Sequence, residues 1–262
     1  MIEDKKIFVM GCSFSHHDGP MTYENPNEVF DFDACWPAMM AKEYSPALLI
    51  NGSLPGAGND TLFQRGKIML NEYGTPDLVI VQLTFPHRFL WSLVPFKKII
   101  RIHKTENKNY IYFNHKVEDK RKLYSYINAG WTATNHGGTN WNHFYRGING
   151  KFTKPFLKPE PIPFIELKSQ RKVLEFLFLS EYFNTVIEKE VACLLHLFKN
   201  SDVKFFTWGH NELNFTPENY LGDTFDWLSI DKDNDSKYLT DSYLHFNKEG
   251  HQAVLKELME RI

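Results

Sequence analysis

The chain of 262 residues balances 30 Lys+Arg against 32 Asp+Glu, which gives no electrostatic reason to bind nucleic acid. With 42% hydrophobic and 24% charged residues it has the composition of a globular chain of one or two domains, not of a disordered one. Its three cysteines, at positions 12, 35 and 193, make neither a disulfide framework nor a zinc-ligand spacing and suit a reducing interior.

In chain order, the opening MIEDKKIFVMGCSFS has too short an apolar run for a secretory leader. No window reaches the roughly 18 apolar residues of a membrane span, so a cytoplasmic location without membrane contact is expected. Lys6 to Met10 is a β-rich run that stops at Gly11, a first buried strand. Ala47 to Ile50 is a second, and Asp77 to Leu83, entered through Thr75-Pro76, a third with apolar residues on both faces. Val203 to Thr207 reads as a fourth strand and Trp227 to Ile230 as a weak fifth.

Between the strands lie helical patterns: Asp60 to Tyr73, Gln170 to Asn200 and Lys248 to Ile262. Alternating strands and helices imply an α/β fold, a parallel sheet of about five strands covered on both sides in a three-layer α/β/α arrangement. Residues 96–164 break the rhythm. This stretch, with short strands around Tyr110 to His115, reads as an irregular insertion over the carboxyl edge of one domain spanning 1–262.

Ligands of such sheets bind beyond the carboxyl ends of the strands, so the polar residues there matter most. After the first strand comes Gly11-Cys12-Ser13-Phe14-Ser15. A serine on a sharp turn between strand and helix exposes its hydroxyl and aims its N–H at the same space, combining a nucleophile with an oxyanion donor; the alternative is a serine that caps the next helix. After the second strand comes NGSLPGAGND, whose glycines let backbone N–H groups approach a ligand closely, or simply make a turn. It lacks the Gly-Lys-Ser/Thr of a phosphate loop. Near the C-terminus stands Asp241-Ser242-Tyr243-Leu244-His245-Phe246-Asn247, where a histidine just before the last helix follows an acid by one turn. That arrangement suits a general base oriented by a carboxylate, or a helix capped by Asn247 beside a partly buried histidine.

Taken together and in this order, the three segments resemble the SGNH (GDSL-like) hydrolase superfamily. GCSFS with WPAMMAKEY and NGSLPGAGND is similar to SGNH-like proteins of phage and marine microbes. The resemblance implies a flavodoxin-like fold and ester or acyl-group chemistry without metal or cofactor. It makes Ser13 the nucleophile and first oxyanion donor, Gly56 a second donor and His245 the base. Its implied substrate is a small-molecule or glycan ester; oligomeric state is left open.

Two departures stand out. Where the family has an oxyanion asparagine in Gly-x-Asn-Asp, this chain reads Leu83-Thr84-Phe85-Pro86-His87-Arg88, so Thr84 or Arg88 would have to replace that donor. The family acid lies three residues before the histidine, where this chain has Ser242; Asp241 lies four before it. These departures also fit a ligand-binding or phage-assembly protein that kept the fold and lost catalysis; an acyltransferase, running the same first half-reaction with an acceptor in place of water, is a third reading.

Other residues of the edge are weighed beside these. Cys12, next to Ser13, should turn inward as a small hydrophobe, and Cys35 and Cys193 read as core thiols. His16, His17 and Asp18 read as a solvated turn, since adjacent histidines do not share a face. Arg88 is a candidate for an anionic substrate group, whereas Arg65 reads as a surface ion pair. Trp131, His136, Trp141, His143, Tyr145 and Arg146 either stack on a flat ligand or build a small core, and His210 and Asn211 follow the fourth strand to the same edge.

Overall fold

The computed structural model describes residues 2–16, 34–54, 57–84, 88–92, 96–98, 100–115, 124–128, 182–208, 213, 215–230, 237–239 and 245–262. For residues 88–92, 96, 115, 124–128 and 182–183 it describes the backbone alone. The strands are β1 (Lys6–Met10), β2 (Leu48–Asn51), β3 (Leu78–Leu83), β4 (Arg88–Ser92), β5 (Ile100–Lys104), β6 (Tyr110–His115), β7 (Tyr124–Asn128), β8 (Asp202–Thr207) and β9 (Tyr220–Asp223). The α-helices are α1 (Trp36–Glu43), α2 (Leu62–Tyr73), α3 (Tyr182–Leu197), α4 (Thr224–Trp227) and α5 (Lys248–Arg261).

Seven strands form one sheet in the order β5-β6-β2-β1-β3-β8-β9. All neighbours in it are parallel except β5 and β6. The stretch β2-β1-β3-β8-β9 is the doubly wound order, in which the chain leaves β1 to one side and returns on the other. The crevice at that reversal opens beyond the carboxyl end of β1, where Ser13 stands.

The apolar runs make strands buried on both faces. Ile7 and Val9 point with Leu49 and Ile80 into one core, beneath α1 and α5. Phe8 and Met10 point with Ile50, Val79 and Val81 into the other, beneath α2 and α3. Burying each such side chain contributes roughly 1.5–3 kcal/mol, which is what places two layers of helices on one sheet. Gly66 lets α2 lie close to the segment that includes α3, since a Cβ there would meet Phe198 and Leu194 at 3.0 and 3.1 Å.

Three expectations change. The sheet has seven strands rather than about five, because part of the supposed insertion builds β5 and β6, and β6 pairs with β2 in register Leu49 to Tyr110. The weak fifth strand at Trp227 to Ile230 is not one: the strand is β9, and Trp227 closes the short helix α4, capped by Asp223. Helix α1 also went unanticipated. Among the described residues, no helix is long and apolar enough to cross a membrane.

Candidate active site

The turn after β1 is built by side chains from neighbouring elements. Gly11 is required by close approach, because a Cβ there would stand 2.7 Å from Gln82 Oε1. That oxygen, at the end of β3, accepts hydrogen bonds from Cys12 N–H at 3.2 Å and from the Ser15 hydroxyl at 3.1 Å. The Ser15 hydroxyl in turn accepts one from the Trp36 indole at 3.0 Å, and Asn51 Nδ2 donates to the Ser15 carbonyl at 2.8 Å. Ser13 is the member of this turn whose side chain faces neither core. It is partly exposed, while Cys12 and Ser15 on either side are fully buried.

His245 arrives from the other end of the chain. Two residues on, Asn247 caps α5 by accepting from Gly250 N–H at 2.9 Å, and its own N–H donates to the Tyr238 carbonyl at 2.9 Å. The imidazole then lies against Phe14, ring centroids 4.3 Å apart, and Phe14 is stacked on Trp208 at 3.4 Å. The result is a 3.0 Å separation between His245 Nε2 and Ser13 Oγ, from residues 232 positions apart. In the neutral tautomer with its proton on Nδ1, the imidazole can accept the serine proton there.

A second histidine braces this half of the site. His251, on α5, is buried, and its Nδ1 accepts from the Trp36 backbone N–H at 3.4 Å, so it serves the N-terminus of α1, whose own cap residue Cys35 provides no side-chain bond. Burial, with the like charge of His245 adding, pushes its pKa down to about 3, so it is a neutral acceptor at ordinary pH.

At the end of β3, Asn59 holds Thr84 by both faces: Asn59 Nδ2 donates to the Thr84 carbonyl at 2.8 Å, and Thr84 N–H donates to Asn59 Oδ1 at 2.9 Å. The Thr84 backbone N–H is therefore engaged. Its buried hydroxyl makes no hydrogen bond among the described residues.

Arg65 is the clearest correction. It is no surface residue: 1% exposed, it donates to the carbonyls of Gly11 at 2.6 Å, Gly52 at 3.1 Å and Gly58 at 3.4 Å. Leu62, Arg65 and Met69 share the buried face of α2, so the helical period was the signal that could have placed it. Nearby, Glu190 of α3 accepts from the Phe63 N–H at 2.7 Å, capping α2 from another helix, and burial pushes its pKa up to about 7. His16 is likewise buried rather than solvated, its Nε2 donating to the Phe113 carbonyl at 3.1 Å, and Cys193 is exposed rather than a core thiol. Cys12 and Cys35 are buried as read.

Thus Ser13 and His245 are brought together, with Thr84 at the neighbouring strand end. Gly56, Asp241, Trp131, His136, Trp141, His143, Tyr145, Arg146, His210 and Asn211 lie outside the described residues, as do His17 and Asp18. Arg88 is described only as the first residue of β4. Gln82, Phe14, Trp36 and His251 have no role in the sequence reading, and Asn59, read there with Asp60 as a possible cap of the following helix, instead holds Thr84. Of those four, Gln82 alone carried a signal, as the one polar residue in the apolar run Leu78–Leu83.

No family model matches this chain, and no curated protein matches it. Among solved structures it is similar to an extracellular lipase from Streptomyces rimosus, over 98% of this chain and 72% of the lipase, at 8% identity and a TM-score of 0.33. A likeness at that level carries no inference about activity.

Proposed function

We propose that this protein is an SGNH-like serine hydrolase that cleaves carboxylic esters through an acyl-enzyme. Ser13 Oγ attacks the ester carbonyl as its proton passes to His245 Nε2. The resulting oxyanion is met by the Ser13 N–H, with Gly56 N–H and the Thr84 hydroxyl as further donors. Collapse expels the alcohol, which takes the proton from His245. Water, deprotonated by the same imidazole, then releases the acid and restores the serine. Asp241 is the residue proposed to orient His245, and Arg88, Trp131, Trp141, His210 and Asn211 are the proposed substrate contacts.

One observation carries this reading. An alcohol and an imidazole from opposite ends of the chain meet at 3.0 Å, at the point where the sheet reverses its winding. A protein that had kept only the fold would have no need of that contact. The test is covalent labelling with an alkyl fluorophosphonate. The wild type should label at Ser13, Ser13→Ala should not label, and His245→Ala should label at least ~10³-fold more slowly. A wild type that labels no more than Ser13→Ala overturns the reading.

A further inference from the structure

We propose that Arg65 is a positioning residue for this chemistry, holding the turn that carries Ser13 at a fixed distance from the loop that leaves β2. The inference rests on the serine-hydrolase reading and adds a residue to it.

The peptide unit between Gly11 and Cys12 is bonded at both of its polar groups. Its carbonyl oxygen accepts from Arg65 Nη1 at 2.6 Å, and its N–H donates to Gln82 Oε1 at 3.2 Å. In a trans peptide these two groups point in opposite directions within one plane. The unit is therefore gripped at both ends, from α2 on one side and β3 on the other. Ser13 is the next residue but one after Gly11, so the direction in which its N–H and hydroxyl project is inherited from that plane.

The same guanidinium reaches the second loop. Nη1 also donates to the Gly52 carbonyl at 3.1 Å and Nη2 to the Gly58 carbonyl at 3.4 Å. These two carbonyls bracket the loop between β2 and the short helical turn Asn59–Thr61. A planar fork with rigidly spaced donors can fix such a three-way separation; an ammonium on a flexible stem cannot, because it is a single point charge. Its location agrees with that task. Arg65 lies on the buried face of α2, a helix wedged against α3 and capped by Glu190, so the guanidinium is delivered from a rigid base.

For a reaction that depends on donors placed around a developing oxyanion, an ångström of drift costs about 10²-fold. The expected signature is a loss in the chemical step with reagent binding intact. The experiment follows phosphonylation by an alkyl fluorophosphonate as a function of reagent concentration, which separates the limiting rate from the half-saturating concentration. Wild type, Arg65→Met, Arg65→Lys and Ser13→Ala are compared per folded molecule, with the folded fraction taken from thermal unfolding. Arg65→Met should lower the limiting rate about 10²-fold and move half-saturation by no more than about two-fold. Arg65→Lys, keeping one donor group, should recover part of the rate and remain about 10-fold below wild type.

Equal limiting rates in wild type and Arg65→Met overturn the proposal and leave the serine-hydrolase reading standing. So does a rate loss that merely tracks the folded fraction. Should Arg65→Met fail to fold, a wild-type limiting rate in Arg65→Lys overturns it equally. A wild type that labels no more than Ser13→Ala removes both.

Discussion

The two halves of the site are held by different kinds of force. Around Ser13 the backbone is fixed by directional hydrogen bonds, donated by Arg65 and Asn51 and accepted by Gln82, none of which titrates between acid and mildly alkaline pH. Around His245 the contacts are a helix cap and the Phe14 ring, itself stacked on Trp208, and on α5 the buried His251, which does titrate, links that helix to α1 through the Trp36 N–H. On the proposed function the contrast would suit each group: a nucleophile and its oxyanion donors need a fixed backbone, whereas an imidazole passes a proton from one oxygen to another.

The largest expected effect comes from breaking the serine half. Gln82→Leu keeps the approximate volume and removes the acceptor, leaving buried donors on Cys12 and Ser15 unmatched. The loss should be about 4 kcal/mol in urea unfolding, at roughly 1–3 kcal/mol for each stranded group. Labelling at Ser13 should slow markedly in the molecules that remain folded. A variant as stable as wild type would mean that the turn is held by something else.

Next comes the acid limb, which probes the histidine half. The folded-state pKa of His251 is about 3, below the ordinary value of 6.5, so protons favour the unfolded chain. Its contribution is whole above pH ~6.5 and drains away as the pH falls toward 3, on the order of 3 kcal/mol by pH 4. His251→Gln keeps an acceptor for Trp36 N–H without the titration. Unfolding measured at pH 4, 5, 6 and 8 should show a shallower decline for the variant. Parallel declines would remove His251 from the account and weaken the distinction between the halves.

The smallest effect should come from Phe14→Leu. Replacing the stacked ring loses about 1–2 kcal/mol of stability and slows turnover of a labelled ester up to about ten-fold, with binding little changed. A loss as large as that of Gln82→Leu would show that the histidine is held as tightly as the serine.

How far the sequence could be read follows the same division. β1 and β3 were legible because strands buried on both faces are near-continuous apolar runs, and β8 by its apolar residues Val203, Phe205 and Phe206. β9 was not, since Tyr-Leu-Gly-Asp contains a glycine at φ 112° and an aspartate that caps the next helix, and its pairing with β8 is irregular. β5 also hid, as an edge strand with exposed Arg101 and Lys104 rather than an apolar run. Helix α1 lacks a side-chain cap and borrows an acceptor from His251, which lies 215 positions away, so Pro37 in its first turn is the local signal of its start.

In the site, Ser13 and His245 could be nominated because each stands in a short, ordered segment. For the residues that hold them, the sequence marks positions but not partners: the helical period places Arg65 on the buried face of α2 and the apolar run singles out Gln82, yet the groups they bond come together only after the sheet has formed.

The separation of 232 positions between the alcohol and the imidazole has a consequence for the newly made chain. Sheet strands from β1 to β9 all precede the segment that brings the imidazole, so the hydroxyl spends the early part of folding without a base. On the proposed function, the serine would gain its base only when α5 settles against α1, and until then it would be an ordinary alcohol.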